Sequence, residues 1–345
     1  MKIKESMMNG VGKANHVIAN IGTYLNYQIL EPHYPLLGIE VTEDALYLMK
    51  LKKIKKQWKM VVFDSEPLEE GTVKVAPLEP NVTDISLIVP HMRALWSRNK
   101  IEDKQLSLLI PDKSVIIFII KLEHTTSKKE ADRLIQWKLR KSVPFPIELA
   151  KVSWMVMSAD PVDKKMNILV TLIKKEIVEQ YEKIAQSVDA SIALVDIPFF
   201  NFVNYLRFTS PGAVIKEQDF LAINHNGTYL TIGLFSGGDL SLFKCRVIQH
   251  KATGNYEEYK KEIVKELHPL VMYYFDQIGR KDLKTVFIKA GNQAIQEVVK
   301  EKYGFTIEQP SLRDAITFEN SPTILAEDVD SHLPLAGLLL GRRLS

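Results

Sequence analysis

From Leu36 to Leu51 apolar and polar positions alternate, and the polar run Thr42 to Asp44 breaks the alternation, which predicts two strands joined by a tight turn. Trp58 to Asp64 predicts a third strand, Thr83 to Asn99 a helix opened by a Thr or Asp cap, and Gln105 to Ile110 a further strand ended by Pro111 and Asp112. These elements make one compact lobe.

The rhythm then changes. Ser114 to Leu122 is a continuous apolar strand, and Ser127 to Lys141 is a helix whose Ser127 and Glu130 have the spacing of a capping box. The run Val143-Pro144-Phe145-Pro146 stops that helix. Strands at Val152 to Ser158 and Met166 to Ile173, a helix from Lys175 to Ser187 and a strand from Ser191 to Asp196 complete a small two-layer unit inserted in the chain.

After a helix from Pro198 to Phe208, three strands recur at Phe220 to Asn224, Tyr229 to Phe235 and Asp239 to Ile248, punctuated by Gly227 and the Gly237-Gly238 pair. A helix from Tyr256 to Ile278, a strand from Thr285 to Ala290 and a helix from Gln293 to Tyr303 follow. The second lobe repeats the plan of the first, so the chain reads as a duplicated α/β protein with an insertion.

Composition narrows the classes of function. A chain of 345 residues, 46% hydrophobic, has material for more than one core. The net charge of +3 is small and spread along the chain, so no nucleic-acid partner is expected. The single cysteine, Cys245, lies in a strand-like run without an assignable His base and reads as a small packed hydrophobe in a reducing compartment. Neither a long uncharged apolar run nor a secretory signal is present, which predicts a cytoplasmic protein. Met7, Met8, Val11, Ala14, Ile18, Ile21, Leu25 and Ile29 would share one helical face, predicting an amphipathic helix over 1–35 that docks on protein or touches a membrane surface.

From Leu36 onward the sequence resembles the PilM family of type IV pilus assembly proteins, which are similar to actin and the cell-division protein FtsA. The residues that carry the resemblance are Gly38-Ile39-Glu40-Val41, the basic-apolar helix ending in Val143-Pro144-Phe145-Pro146, the strand pair from Phe220 to Ile248, Ile288-Lys289-Ala290-Gly291-Asn292, and Pro334 to Gly341. The resemblance implies a two-lobed actin-like ATPase fold. Its first lobe would cover 36–112 and be completed by 197–210; its inserted α+β subdomain would cover 113–196. The second lobe would cover 213–345, with a C-terminal helix returning to the cleft. It further implies an ATP and magnesium cleft, a PilN-like one-pass membrane partner whose N-terminal tail is bound, the pilus assembly ATPase as a further partner, and a place beside a bacterial inner membrane. Type II secretion and mannose-sensitive pilus systems have related platform proteins.

Set against the family pattern Gly-Ile-Asp-Ile-Gly, Glu40 replaces the aspartate and Thr42 the glycine, while Glu43 and Asp44 bring negative charge to the expected path of a polyphosphate. In the second hairpin Asn224, His225 and Asn226 stand where relatives have Asp-Ile-Gly, with Gly227 one place late, and Asn226 is expected to take the left-handed turn position. Gly291 and Asn292 replace a Gly-Gly pair in the adenosine region, where Asn also tolerates positive φ. These departures predict a degenerate cleft with no catalytic residue and no cofactor, an ATP-binding switch being the alternative. His225 reads as a hydrogen-bonded turn residue rather than a metal ligand, and no metal site is expected. For the partner tail, the strand from Ser114 to Leu122 and the helix around Trp137 are expected to form a pocket with Val143, Pro144 and Phe145, Trp137 as ordinary core being the competing reading.

Overall fold

The two hairpin-led lobes expected from the sequence both appear in the computed structural model, which describes residues 34–123, 127–160, 165–209, 215, 218–248, 255–278, 283–289, 291–318 and 329–341. The amphipathic segment expected at the amino terminus lies outside the described residues. Pro35–Ser345 form one compact unit.

In the first lobe, β1 (Leu37–Val41), β2 (Ala45–Ile54) and β3 (Gln57–Pro67) run antiparallel, and α1 (Ile85–Arg98) leads to β4 (Gln105–Leu109), which returns parallel to β1. Asp84 opens α1 by accepting from the Ser86 N–H at 2.8 Å. The insertion then supplies β5 (Ile116–Glu123), α2 (Lys128–Leu139), β6 (Ala150–Asp160) and β7 (Lys165–Lys174), whose strands form a separate three-stranded sheet in the order β5-β7-β6. α3 (Lys175–Gln186), β8 (Ser191–Asp196) and α4 (Pro198–Thr209) follow.

The second lobe contains β9 (Phe220–Asn226), β10 (Tyr229–Ser236), β11 (Asp239–Val247), α5 (Tyr256–Tyr273) with a π-helical last turn at Tyr274–Ile278, β12 (Thr285–Ile288), α6 (Gln293–Tyr303) and β13 (Thr306–Glu308). β14 (Ile316–Phe318) and α7 (Leu333–Leu339) close the described chain. The second sheet has the order β11-β10-β9-β12-β13, and the first contains β3-β2-β1-β4-β8 in the same succession, so the duplication read from the sequence is a duplication of topology. Each lobe has three antiparallel strands followed by two parallel ones.

α4 and α7 are buried on nearly all sides between the lobes; α7 has no polar stripe, and in α4 the buried side-chain amides donate locally, Asn201 to the Ile197 carbonyl at 2.9 Å and Asn204 to Asn201 Oδ1 at 3.2 Å. Their backbones approach closely because position 337 is glycine: a Cβ there would stand 1.9 Å from the Asn201 carbonyl oxygen.

Three expectations are corrected. The insertion closes at Lys174 rather than at 196, because β8 pairs with β4 in the first sheet and α3 packs on the first lobe's core; a helix and strand can follow an inserted sheet in sequence and still return to the parent one. Ser127 precedes α2, but its side chain makes no capping hydrogen bond; that first turn is exposed, where water can hydrate its N–H groups. The segment after 213 does not belong wholly to the second lobe, since β14 pairs parallel to β3, Ile316 opposite Trp58.

Candidate functional site

The two hairpins expected from the resemblance to hold phosphates, β1–β2 and β9–β10, lie close enough for their turns to touch. Thr228 Oγ1 donates to Glu43 Oε2 at 2.5 Å, from the turn of one hairpin to that of the other. Within the first turn, the Thr42 hydroxyl lies 2.7 Å from Asp44 Oδ1 and accepts the Ala45 N–H at 3.0 Å, so Thr42 and Asp44 brace their own turn. Glu43 and Asp44 therefore do not stand as two free charges: each carboxylate has a hydroxyl partner.

Glu40, only 1% exposed at the end of β1, reaches His332 Nδ1 at 3.2 Å, just before α7. The His332 ring is held between Tyr47 and Phe63, with centroids 4.0 and 5.2 Å away. The first hairpin is thereby fixed to the C-terminal helix.

At the base between the lobes sits a residue that the sequence marked only as a strand end. Asp112, 1% exposed, accepts the Phe199 N–H at 2.8 Å, the Asn224 side-chain amide at 2.9 Å and the Thr231 hydroxyl at 2.8 Å. It thus joins the first lobe, the start of α4 and two strands of the second lobe. Burial pushes its carboxyl up from 3.8 to about 6, opposed by those three hydrogen bonds and by the charge of Lys289. Asn224, expected as a neutral replacement in a metal shell, is a donor to this carboxylate. Its Oδ1, like Asn226 Nδ2, is buried without a partner among the described residues.

Two turn assignments change. Gly227, at φ +55°, takes the left-handed position expected of Asn226, which ends β9 instead. Asn292 has φ −113° and caps α6 through its side chain, accepting from the Ile295 N–H at 3.1 Å, while Gly291 alone has positive φ, +100°. The Asn292 amide also donates to Tyr259 Oη at 2.6 Å, and His225 Nε2 lies 3.1 Å from the same Oη, so His225 belongs to a polar cluster with Tyr259 and Asn292. Among the described residues no group of three His, Cys, Asp or Glu side chains is arranged to hold a metal ion. Cys245 is held in β11 with its thiol pushed up to about 12 by burial, which leaves it a poor nucleophile.

The partner-binding residues fall differently from expectation. Alternation along the inserted strands sends Ile168, Val170 and Leu172 toward α2, and Leu169, Thr171 and Ile173 toward a groove of about 560 Å³ against the first lobe. Met155, Leu194, Val195 and Phe200 also line this groove. Two of its strands, β6 and β8, are terminal in their sheets, so each has one edge that no strand pairs among the described residues. Trp137 is on the other side of the inserted sheet. It is 77% exposed because Ala131, Ile135 and Leu139 define the buried face of α2 and position 137 falls opposite them. Neither the pocket nor the core reading of Trp137 holds: Val143 is buried in the subdomain's own core and Phe145 packs on it, while Pro144 is exposed.

The sequence pattern of the family described as Type IV pilus assembly protein PilM matches residues 38–210, half of the chain. A solved PilM-PilN type IV pilus biogenesis complex is similar with a TM-score of 0.76 at 13% identity, over 90% of this chain and 98% of that one. A Bacteroides thetaiotaomicron protein with an actin-like ATPase fold and unknown function gives a TM-score of 0.45 at 11% identity, over 89% of this chain and 96% of that one. The cytoplasmic domain of EpsL, an inner membrane component of the Vibrio cholerae type II secretion system, gives 0.40 at 9% identity with the same two coverages. With its duplicated sheets and inserted subdomain this is the two-lobed actin-like ATPase fold, and the chain belongs to the PilM family of type IV pilus assembly proteins.

Proposed function

We propose that this protein is a scaffold of a type IV pilus assembly platform at the cytoplasmic face of an inner membrane, and that it captures the N-terminal tail of a PilN-like membrane protein in the groove between the inserted sheet and β8. The observation that carries the reading is that groove: a space of about 560 Å³, lined largely by apolar side chains, beside two strand edges that no strand pairs among the described residues. An extended tail would add main-chain hydrogen bonds along an edge and place alternate side chains among Met155, Leu169, Ile173 and Leu194. That the similar solved structure is titled a PilM-PilN complex agrees with the choice of partner.

The cleft is proposed to be structural and not hydrolytic. A magnesium-triphosphate needs open backbone N–H groups between the hairpins and a short carboxylate for the metal's water shell. Here the hairpin turns are tied to each other through Thr228 and Glu43, Glu40 is engaged by His332, and Asn224 carries no charge. These residues do not fit that ligand. The competing reading, a nucleotide-dependent switch, draws on the partnerless buried amide atoms of Asn224 and Asn226.

The test is binding of a synthetic PilN-type tail followed by fluorescence anisotropy. Ala193 is exposed on β8 and lines the groove, so Ala193→Arg obstructs it without touching the core. The reading expects affinity to fall by about tenfold or more, a loss of about 1.4 kcal/mol, with an unchanged melting curve. Full affinity in that variant moves the tail elsewhere.

A further inference from the structure

We propose that the outer face of α2 docks on a bilayer surface carrying anionic lipids. This stands apart from the groove, which lies across the inserted sheet, and does not depend on what the groove binds. With Ala131, Ile135 and Leu139 turned inward, the exposed positions Lys129, Arg133 and Trp137 recur at four-residue steps on the outer side, and the exposed Arg140 and Lys141 follow in the turn that ends the helix. Trp137 is more exposed than any other large hydrophobic side chain that the described residues leave open.

The charge of this face is decided locally. Residues 127–146 hold six Lys and Arg against Glu130 and Asp132, an excess of four positive charges in a short stretch of a chain whose whole net charge is +3. One of the two acids is turned away, since Asp132 accepts the Trp154 indole N–H at 2.6 Å. Glu130 stays on the outer side, and of the six cations Lys138 is turned to the Lys121 carbonyl oxygen at 2.6 Å, which leaves the outer side with a clear positive excess. A single indole ringed by cations lacks the contiguous apolar centre of a protein interface. It matches the boundary of a bilayer, where tryptophan settles at headgroup depth and Lys and Arg meet anionic phosphates.

A second basic feature sets the control. The β2–β3 hairpin has Lys52, Lys53, Lys55 and Lys56 around Ile54, which is 50% exposed, but the hairpin has no helical face that aligns these lysines.

The experiment uses the full chain with vesicles of phosphatidylcholine, alone or mixed with phosphatidylglycerol, and follows tryptophan emission and co-sedimentation. The proposal expects binding to the mixed vesicles only, weakened by added salt, with a blue shift that vanishes in Trp137→Phe. Each basic residue removed should weaken binding about fivefold, so Lys129→Gln, Arg133→Gln, Arg140→Gln and Lys141→Gln together should cost on the order of several hundredfold. All four positions are exposed, so the melting curve should hold. Four results would each overturn the proposal: no binding to mixed vesicles, equal binding to neutral ones, binding with Trp137 emission unmoved, or binding kept in the α2 variant and lost with Lys52→Gln, Lys53→Gln, Lys55→Gln and Lys56→Gln. An emission shift with polyglutamate and none with vesicles would assign the face to an acidic protein and reject the bilayer.

Discussion

Thr228 and Glu43, 185 positions apart in sequence, meet at 2.5 Å between the turns of the two hairpins. In a nucleotide-holding relative of this fold, negative charge of the ligand would be gathered by N–H groups at such turns. Here one turn supplies the carboxylate and the other the donor, so the protein's own side chains span the gap.

That bond should be measurable. Thr228→Val keeps the shape and removes the donor, leaving a half-buried carboxylate without it, and is expected to lower unfolding free energy by about 1 kcal/mol. Thr228→Ser should retain most of the stability. Denaturant midpoints compare the three proteins, and a Val variant as stable as the parent would show that the contact holds nothing.

Asp112 gives a pH signature with a definite sign. Its folded value of about 6 lies above the ordinary 3.8, so between those values the folded chain holds more protons than the unfolded one. This carboxyl's contribution to stability is therefore full below pH 3.8, falls as pH rises toward 6 and is constant beyond. The difference across that interval is about 3 kcal/mol for a fully buried group. In Asp112→Asn the carboxyl no longer titrates, and stability measured across the same interval should lose that fall relative to the parent, whatever the offset from exchanging a carboxylate oxygen for an amide. Parallel pH curves for the two proteins would show that Asp112 is not the titrating group.

Gly337 should be the costliest glycine to replace among those packed against the core helices. A Cβ at 337 would meet the Asn201 carbonyl oxygen at 1.9 Å and Tyr205 Cβ at 3.2 Å, so α4 and α7 must separate. Gly337→Ala is expected to cost about 3 kcal/mol or more. Gly38→Ala is expected to cost less, because its nearest neighbours are the flexible side-chain ends of Leu335 and Leu339 at 2.9 and 3.0 Å. Thermal melting of both variants checks the order.

The lobes were legible because hairpins announce themselves through local alternation and turn residues, and Ala45 to Ile54 or Tyr229 to Ser236 need no distant information to be recognised. β14 was not, because three residues have too short a period and its partner Trp58 is 258 positions away. The same reasoning explains the site. Glu40, Thr42 and Asn224 could be named from a resemblance, but Asp112 acts through Phe199, Asn224 and Thr231, which only the folded chain assembles. Trp137 shows the converse error: its place in a basic-apolar helix was clear, yet the choice between faces depended on which residues Ile135 and Leu139 would bury beside.

Thermal melting with and without saturating magnesium-ATP tests most directly whether the cleft is held by protein groups alone. A ligand at about 100 times its dissociation constant adds about 2.7 kcal/mol to the folded state, enough to raise the midpoint by several degrees. A cleft closed by Thr228 and Glu43, with Glu40 engaged by His332, predicts no shift. A rise of several degrees that requires magnesium and disappears in Glu40→Ala would contradict it.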